Sequence, residues 1–154
     1  MPVSNDLPTV LETLRHAPTN QHVMDVVRTV ARALIQSDGI SFIRREQDYC
    51  YYAEEDAVGA LWKGQRFPME ACVSGWVMRH GVPAVIPDIF DDPRVPVDVY
   101  RPTFVKSMAM MPVGRPRPVA AIGAYWATPH HATDAELEIL QAIADSAAIA
   151  LADI

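Results

Sequence analysis

The sequence is short of the residues on which most recognisable chemistries depend. Its 154 residues include only two cysteines, Cys50 and Cys72. They form no CxxC pair and have no histidine at metal-ligand spacing beside them, so neither a disulfide framework nor a zinc site is expected. Glycine is sparse, and Gly59, Gly64 and Gly75 stand isolated. No GxGxxG or Walker sequence occurs, which removes the phosphate-cradling loops of nucleotide-binding enzymes. Basic residues number 13 against 19 acidic ones, for a net charge of -6. The one basic concentration, Arg115-Pro116-Arg117-Pro118, is short and turn-like. A nucleic-acid surface needs clustered Lys and Arg and is not expected here. No apolar run approaches the ~20 residues of a membrane span. The opening Met1-Pro2-Val3-Ser4-Asn5-Asp6 lacks the basic and apolar regions of a signal peptide. The expectation is a cytoplasmic protein with no membrane or nucleic-acid partner. No nucleophile, base and orienting group can be assembled from spacing, so an enzyme is not expected either.

What the sequence does contain is apolar pattern. Half of its residues are hydrophobic, and a chain of this length buries about 70% of its unfolded surface, enough for a core without metal or disulfide. A short amphipathic piece, Thr9 to His16, precedes the helix-start signal Pro18-Thr19-Asn20. Val23, Val26, Val27, Val30, Ala31 and Leu34 then form one helical stripe. Ser37-Asp38-Gly39 is read as its end, with Gly39 in the left-handed position. Ile40 to Arg44 and Asp48 to Ala53 read as a hairpin turning near Glu46-Gln47. Ala60 to Phe67 reads as a third strand or an irregular crossing. Cys72 to His80 reads as a short helix closed by Gly81, and Pro83 to Pro87 as a short extended piece. Asp88 to Lys106, with Pro93, Pro96 and Pro102, is a long connection of the kind that gates function. Ser107 to Val113 and Val119 to Ala127 are strands. Thr133 and Glu136 form a capping box. It opens a last helix with one apolar stripe of Leu137, Leu140, Ala144, Ala147, Ala148 and Leu151, and a second of Ile139, Ile143, Ala150 and Ile154. The resulting class is α+β, an antiparallel sheet flanked by the first and last helices. Residues 1–18 form an N-terminal extension with a short helix, and residues 19–154 a single domain.

Three segments in order, Ser74-Gly75-Trp76-Val77-Met78-Arg79-His80-Gly81-Val82-Pro83, Ile86-Pro87-Asp88-Ile89 and the run from Tyr100 to Val113, resemble a GAF domain. So do the closing Ala121-Ile122-Gly123-Ala124-Tyr125-Trp126 and the final helix. The resemblance begins near Asn20 and is nearest in character to GAF modules beside bacterial sensor histidine kinases. It implies a central antiparallel sheet with terminal helices on one face. A short helix and a long loop roof a pocket on the other. It also implies a sensory domain that binds a small anionic or polar ligand non-covalently. The signal would pass through the terminal helices of a homodimer, in a pathway of two-component type, to a histidine kinase or another output partner. Three better-defined chemistries of the family lack their residues here. Bilin-binding members use a Cys, usually followed by His, in the region matching Asp91 to Phe104, and neither occurs there. The cyclic-nucleotide signature Asn-Lys…Phe…Asp-Glu has no counterpart. Free-methionine-sulfoxide reductases use cysteines in the roof loop and following strand, and both regions are free of Cys. No cofactor is therefore expected, neither covalent bilin nor haem. A ligand-free interaction or dimerisation module and a thiol redox enzyme related to those reductases are the two rival expectations.

The candidate pocket residues are Trp76, Asp88, Tyr100, Arg101, Thr103, Phe104, Lys106, Met108, Met110 and Trp126. Arg101 and Lys106 supply charge-assisted donors for an anion, or are solvated charges paired with nearby Asp residues. Trp76, Phe104, Met108, Met110 and Trp126 line an apolar pocket or fill the core, the commoner role of such residues. The acidic group Asp88, Asp91, Asp92 and Asp98 suits a hard cation by residue type, although Asp91-Asp92-Pro93-Arg94 is ordinary turn chemistry; no metal site is expected. Cys72, near a helix start where thiol pKa values fall, and Cys50 are read as buried thiols or, less commonly, as oxidation sensors. His130-His131 reads as loop surface, and His80 as a charge favourable to a helix C-terminus.

Overall fold

A computed structural model describes residues 6–153 with the exception of Arg115. The Arg115 corner of the expected turn, the opening pentapeptide and Ile154 of the second stripe lie outside the described residues. The chain opens with two helices, α1 (Leu7–Arg15) and α2 (Asn20–Ile35). Each has a side-chain cap at its start: Asp6 accepts from the Thr9 amide, and Thr19 accepts from the His22 amide. The end of α2 differs from the sequence reading. Gln36, not Gly39, takes the left-handed conformation (φ 61°), and its amide donates to the Arg32 carbonyl. Gly39 instead begins a strand, where a Cβ would lie 2.9 Å from the Phe104 ring and 3.1 Å from Ala57 Cβ. The glycine is required by close packing rather than by backbone conformation.

Six strands follow in chain order: β1 (Gly39–Glu46), β2 (Tyr49–Ala57), β3 (Arg66–Pro68), β4 (Ala84–Ile86), β5 (Ser107–Val113) and β6 (Ala120–Trp126). They form one sheet in the order β3-β2-β1-β6-β5-β4, and every pairing is antiparallel. The expected crossing segment stays irregular until Arg66. It is held by the Glu55 carboxylate, which accepts from the amides of Leu61, Trp62 and Lys63 at 3.0, 3.0 and 2.9 Å.

Strand alternation divides the interior in two. On one face Ile40, Phe42, Ala109, Met111, Ile122 and Ala124 meet α1, α2 and the final helix α5 (Asp134–Asp153). The capping box of α5 is formed: the Glu136 amide donates to Thr133 Oγ1, and Glu136 Oε1 accepts from the Thr133 amide. The segment before residue 19 shares this core through Val10, Leu14 and Ala17. With that contact both apolar stripes of α5 enter the core: Ile143 and Ala150 are buried with Leu140, Ala144 and Ala147. On the other face lies the roof, made of helix α3 (Val73–His80) and the connection after β4. That connection carries a 3-10 turn (Ile89–Asp91) and one helical turn, α4 (Val97–Tyr100). Gly81 closes α3 at φ 68°, with its amide on the Val77 carbonyl. No helix among the described residues is long and apolar enough to cross a membrane.

Candidate functional site

The roofed face is filled by large side chains. Trp62 sits at the middle of a ring cluster, with centroids 4.6 Å from Tyr100, 5.5 Å from Tyr52 and 5.7 Å from Tyr125. Met108 and Met110 of β5 are fully buried beside them. Burial holds the Tyr52 and Tyr100 hydroxyls in their neutral form, with pKa values well above the ordinary range. Burial also pushes the Tyr125 hydroxyl up, while the nearby Ser41 hydroxyl acts in the opposite direction. Neither Tyr125 Oη nor Ser41 Oγ has a hydrogen-bond partner of acceptable geometry among the described residues. The aromatic ring of Tyr125 lies over Gly123, where a Cβ would come within 2.8 Å of its Cζ.

The ten residues singled out in the sequence do not converge. Tyr100, Met108 and Met110 belong to this packed interior, and the Tyr100 hydroxyl donates to Met108 Sδ at 3.9 Å. Phe104 packs at the end of the sheet against Gly39 and Gly59. Thr103 staples its own turn, donating to the Tyr100 carbonyl and accepting from the Val105 amide. Arg101 is exposed and paired with Asp98, so it is a solvated charge. Lys106 lies over the Phe90 ring at 5.5 Å. Asp88 caps the 3-10 turn through the Phe90 amide. Trp126 is on the opposite face: the register pairs Met108 with Tyr125 and Ser107 with Trp126, which turns the indole toward the helices. There its Nε1 donates to the Gln36 carbonyl and its ring meets His130. His130 in turn contacts Glu136 at 2.8 Å, which ties it to the α5 cap instead of leaving it on a free loop surface. Among the described residues no group of three or more His, Cys, Asp or Glu is disposed to hold a metal ion. Asp92 makes a bidentate pair with Arg94.

Trp76 does find partners suited to recognition. It is half-buried on the outer side of α3, stacked on His80 at 4.5 Å and covered by the Arg94 guanidinium at 4.3 Å. Between α3 and the connection runs an open cleft of about 220 Å³, lined by Cys72, Trp76, Arg79, Arg94 and Pro96, with Glu70 also on its wall. Arg79 and Arg94 face it from two elements, and sequence spacing gave no sign that they meet.

Beneath this cleft the two cysteines come together, a proximity not visible from positions 22 apart. Both are buried and reduced, and their sulfurs are 3.2 Å from each other. The Ser74 hydroxyl donates to Cys72 Sγ at 3.4 Å and meets Tyr52 Oη at 3.1 Å. Cys72 is the N-cap residue of α3. Its pKa is lowered to about 7, first by the Cys50 thiol, against burial, and then by Ser74, the Gly75 amide and the charge of Arg79. Cys50 is pushed far upward by the same contact and by burial. Cys72, at the start of α3 and under the Arg79 charge, is thus the more readily ionised thiol of the pair.

Solved structures share this fold. The GAF domain of a phosphoenolpyruvate-protein phosphotransferase from Coxiella burnetii superposes with a TM-score of 0.82 at 14% identity, over 96% of this chain and 90% of that one. The phycocyanobilin-bound GAF domain of a cyanobacterial phytochrome gives 0.77 at 18% identity, over 98% and 96%. Free methionine-R-sulfoxide reductase from Neisseria meningitidis, in complex with its substrate, gives 0.74 at 13% identity, over 96% and 89%. At these identities the likeness establishes the fold alone. Among curated proteins none matches significantly. The family model for the GAF domain matches residues 20–152, which takes in the sheet, the roof and the last helix; the chain belongs to the GAF domain family.

Proposed function

We propose that this chain is a cytoplasmic sensory GAF domain that binds a small anionic ligand non-covalently. Its site is the cleft between α3 and the roof connection, not the space beneath the roof. The observation that carries the reading is the convergence of Arg79, Arg94 and the Trp76 indole on one opening. Arg79 offers charge-assisted donors to carboxylate or phosphate, and Arg94, whose Nε and Nη2 are already held by Asp92, adds its charge and its remaining Nη1 group. Glu70 on the cleft wall disfavours large multivalent anions. The packed cluster around Trp62 argues against a bulky ligand under the roof. Signals leave through the opposite face, where α1, α2 and α5 share one core. A homodimer uses the outer side of α5, where exposed Ile149 and half-buried Ala142 lie two turns apart. The output partner is a histidine kinase or a comparable element of a two-component pathway.

The test is a thermal-shift titration with inorganic phosphate, sulfate and small dicarboxylates. At least one of these raises Tm in the wild type, and the Arg79→Ala, Arg94→Ala double variant loses the shift. A ligand at 100 times its Kd stabilises by about 2.7 kcal/mol, well within detection. Sedimentation at micromolar concentration checks the dimer, and a monomer throughout would remove that part. The filled roofed face favours a second reading, a module without ligand that serves only assembly. Silence across the anion panel combined with a stable dimer would select it.

A further inference from the structure

The paired thiols lie in the roofed interior and Cys72 lines the cleft, yet the proposed anion binding uses neither sulfur, and their placement suits a specific reaction. We infer that Cys50 and Cys72 form a peroxide-responsive dithiol, with Cys72 the attacked thiol at the inner wall of the cleft and Cys50 the resolving one. Four observations converge on this. The sulfurs are 3.2 Å from each other, so they need close by only about 1 Å to reach the ~2.05 Å of a disulfide. Cys50 is wholly enclosed while Cys72 keeps 7% of its surface and lines the open cleft, which gives the two thiols different access to a small oxidant. Ser74 donates to Cys72 Sγ, and the Arg79 charge faces the same wall; both favour the thiolate, the form that attacks. Finally, Cys50 lies in β2 and Cys72 at the head of α3, so a bond between them joins the sheet directly to the roof.

The oxidant is hydrogen peroxide or a small organic hydroperoxide entering from solvent. The Cys72 thiolate attacks one peroxide oxygen, forming an S–O bond as the O–O bond breaks, and hydroxide or alkoxide leaves. The Cys50 thiol then attacks the sulfenic sulfur. The S–S bond forms, the S–O bond breaks, and the departing hydroxide takes the Cys50 proton as water. Two thiols are oxidised by two electrons and one peroxide is reduced. The turnover is stoichiometric: the disulfide persists until a thiol reductant removes it. It closes a ring around the irregular segment before β3, β3 itself and the Met69–Ala71 turn. It also withdraws the thiolate to which Ser74 donates, and Ser74 is the contact of the buried Tyr52 hydroxyl. This input shares the cleft and Arg79 with the proposed anion site, but it needs no retained ligand.

The experiment treats the purified full chain with hydrogen peroxide and follows intact mass, alkylation and a non-reducing peptide map. The expected result is loss of two hydrogens, a Cys50–Cys72 linked peptide within one chain, reversal by dithiothreitol, and a rise in Tm of roughly 5 °C or more. The reaction outpaces that of free cysteine at the same pH. Cys50→Ser stops at a dimedone-trapped sulfenic acid on Cys72, and Cys72→Ser consumes no peroxide. If both thiols of the folded wild type stay alkylatable after peroxide, or are linked only between two chains, the inference is overturned. The wild-type readout holds even where a cysteine variant fails to fold. A protein that binds anions yet ignores peroxide removes this inference and leaves the anion site standing, and the converse outcome does the reverse.

Discussion

One sheet serves two very different interiors. Its helix-facing side is built mainly from Ala, Val, Ile and Leu, joined by Phe42, Met24, Met111 and Trp126, with Ala31, Ala109, Ala124, Ala144 and Ala147 letting helices approach closely. Its roofed side gathers Tyr52, Tyr100, Tyr125, Trp62, four methionines and both cysteines. The first interior is generic hydrophobic packing, tolerant of volume-conserving exchange. The second mixes rings with hydroxyls and thiols whose protonation is set by burial and by one another. The groups able to respond to a chemical signal are thus confined to one side of a sheet only one strand layer thick, while the terminal helices sit on the other. Every strand except β3 contributes to both interiors, so a change in one is felt at the backbone of the other.

That contrast can be broken from either side. The largest effect is expected at Gly75, where an added Cβ would lie 1.8 Å from the Met69 carbonyl oxygen. Gly75→Ala must push α3 away from the preceding turn, and a loss of about 4 kcal/mol or more is expected by denaturant titration. The same shift separates Cys72 from Cys50, so peroxide no longer links them. Leu140→Ala opens a cavity on the helix side and costs about 3 kcal/mol. Peroxide coupling survives it, provided the measurement is made where the variant remains folded. Coupling lost equally in both variants would mean that the two interiors do not act separately. The smallest effect is expected from Tyr125→Phe, which removes a buried hydroxyl lacking a well-formed hydrogen bond. Unsatisfied groups cost their desolvation, so stability rises by about 0.5–1 kcal/mol; a loss above 1 kcal/mol would show that the Ser41 contact outweighs that cost.

The sequence carried most of the architecture because architecture is written in local periodicity. The α2 stripe, the capping box of Thr133 and Glu136, and the strands around Ala109 and Ala124 are all read from neighbours a few positions apart. Where it misled, the deciding contact was remote. Gly39 looked like a helix terminator, yet its small size answers to Phe104. Trp126 looked like a pocket wall, but the β5–β6 register sends it to the helices. The second stripe on α5 is covered in part by α1, from the other end of the chain. The site suffered most. Arg79, Arg94 and Trp76 converge only through tertiary packing, and so do Cys50 and Cys72. Arg101, chosen for its charge, is occupied by the nearby Asp98, three positions away.

The place of β6 has a further consequence for how the protein is made. β1 lies between β2 and β6, so during synthesis the hairpin of β1 and β2 must wait with one edge open until residues past 120 emerge. That edge carries Ile40, Phe42 and Ile43, the kind of exposed apolar strand that pairs with whatever is available. Closure depends on a contact between distant parts of the chain, the slowest sort to form. The nascent protein is therefore most vulnerable to aggregation just before its last strand is translated, and assistance by a chaperone would matter in that interval more than after release.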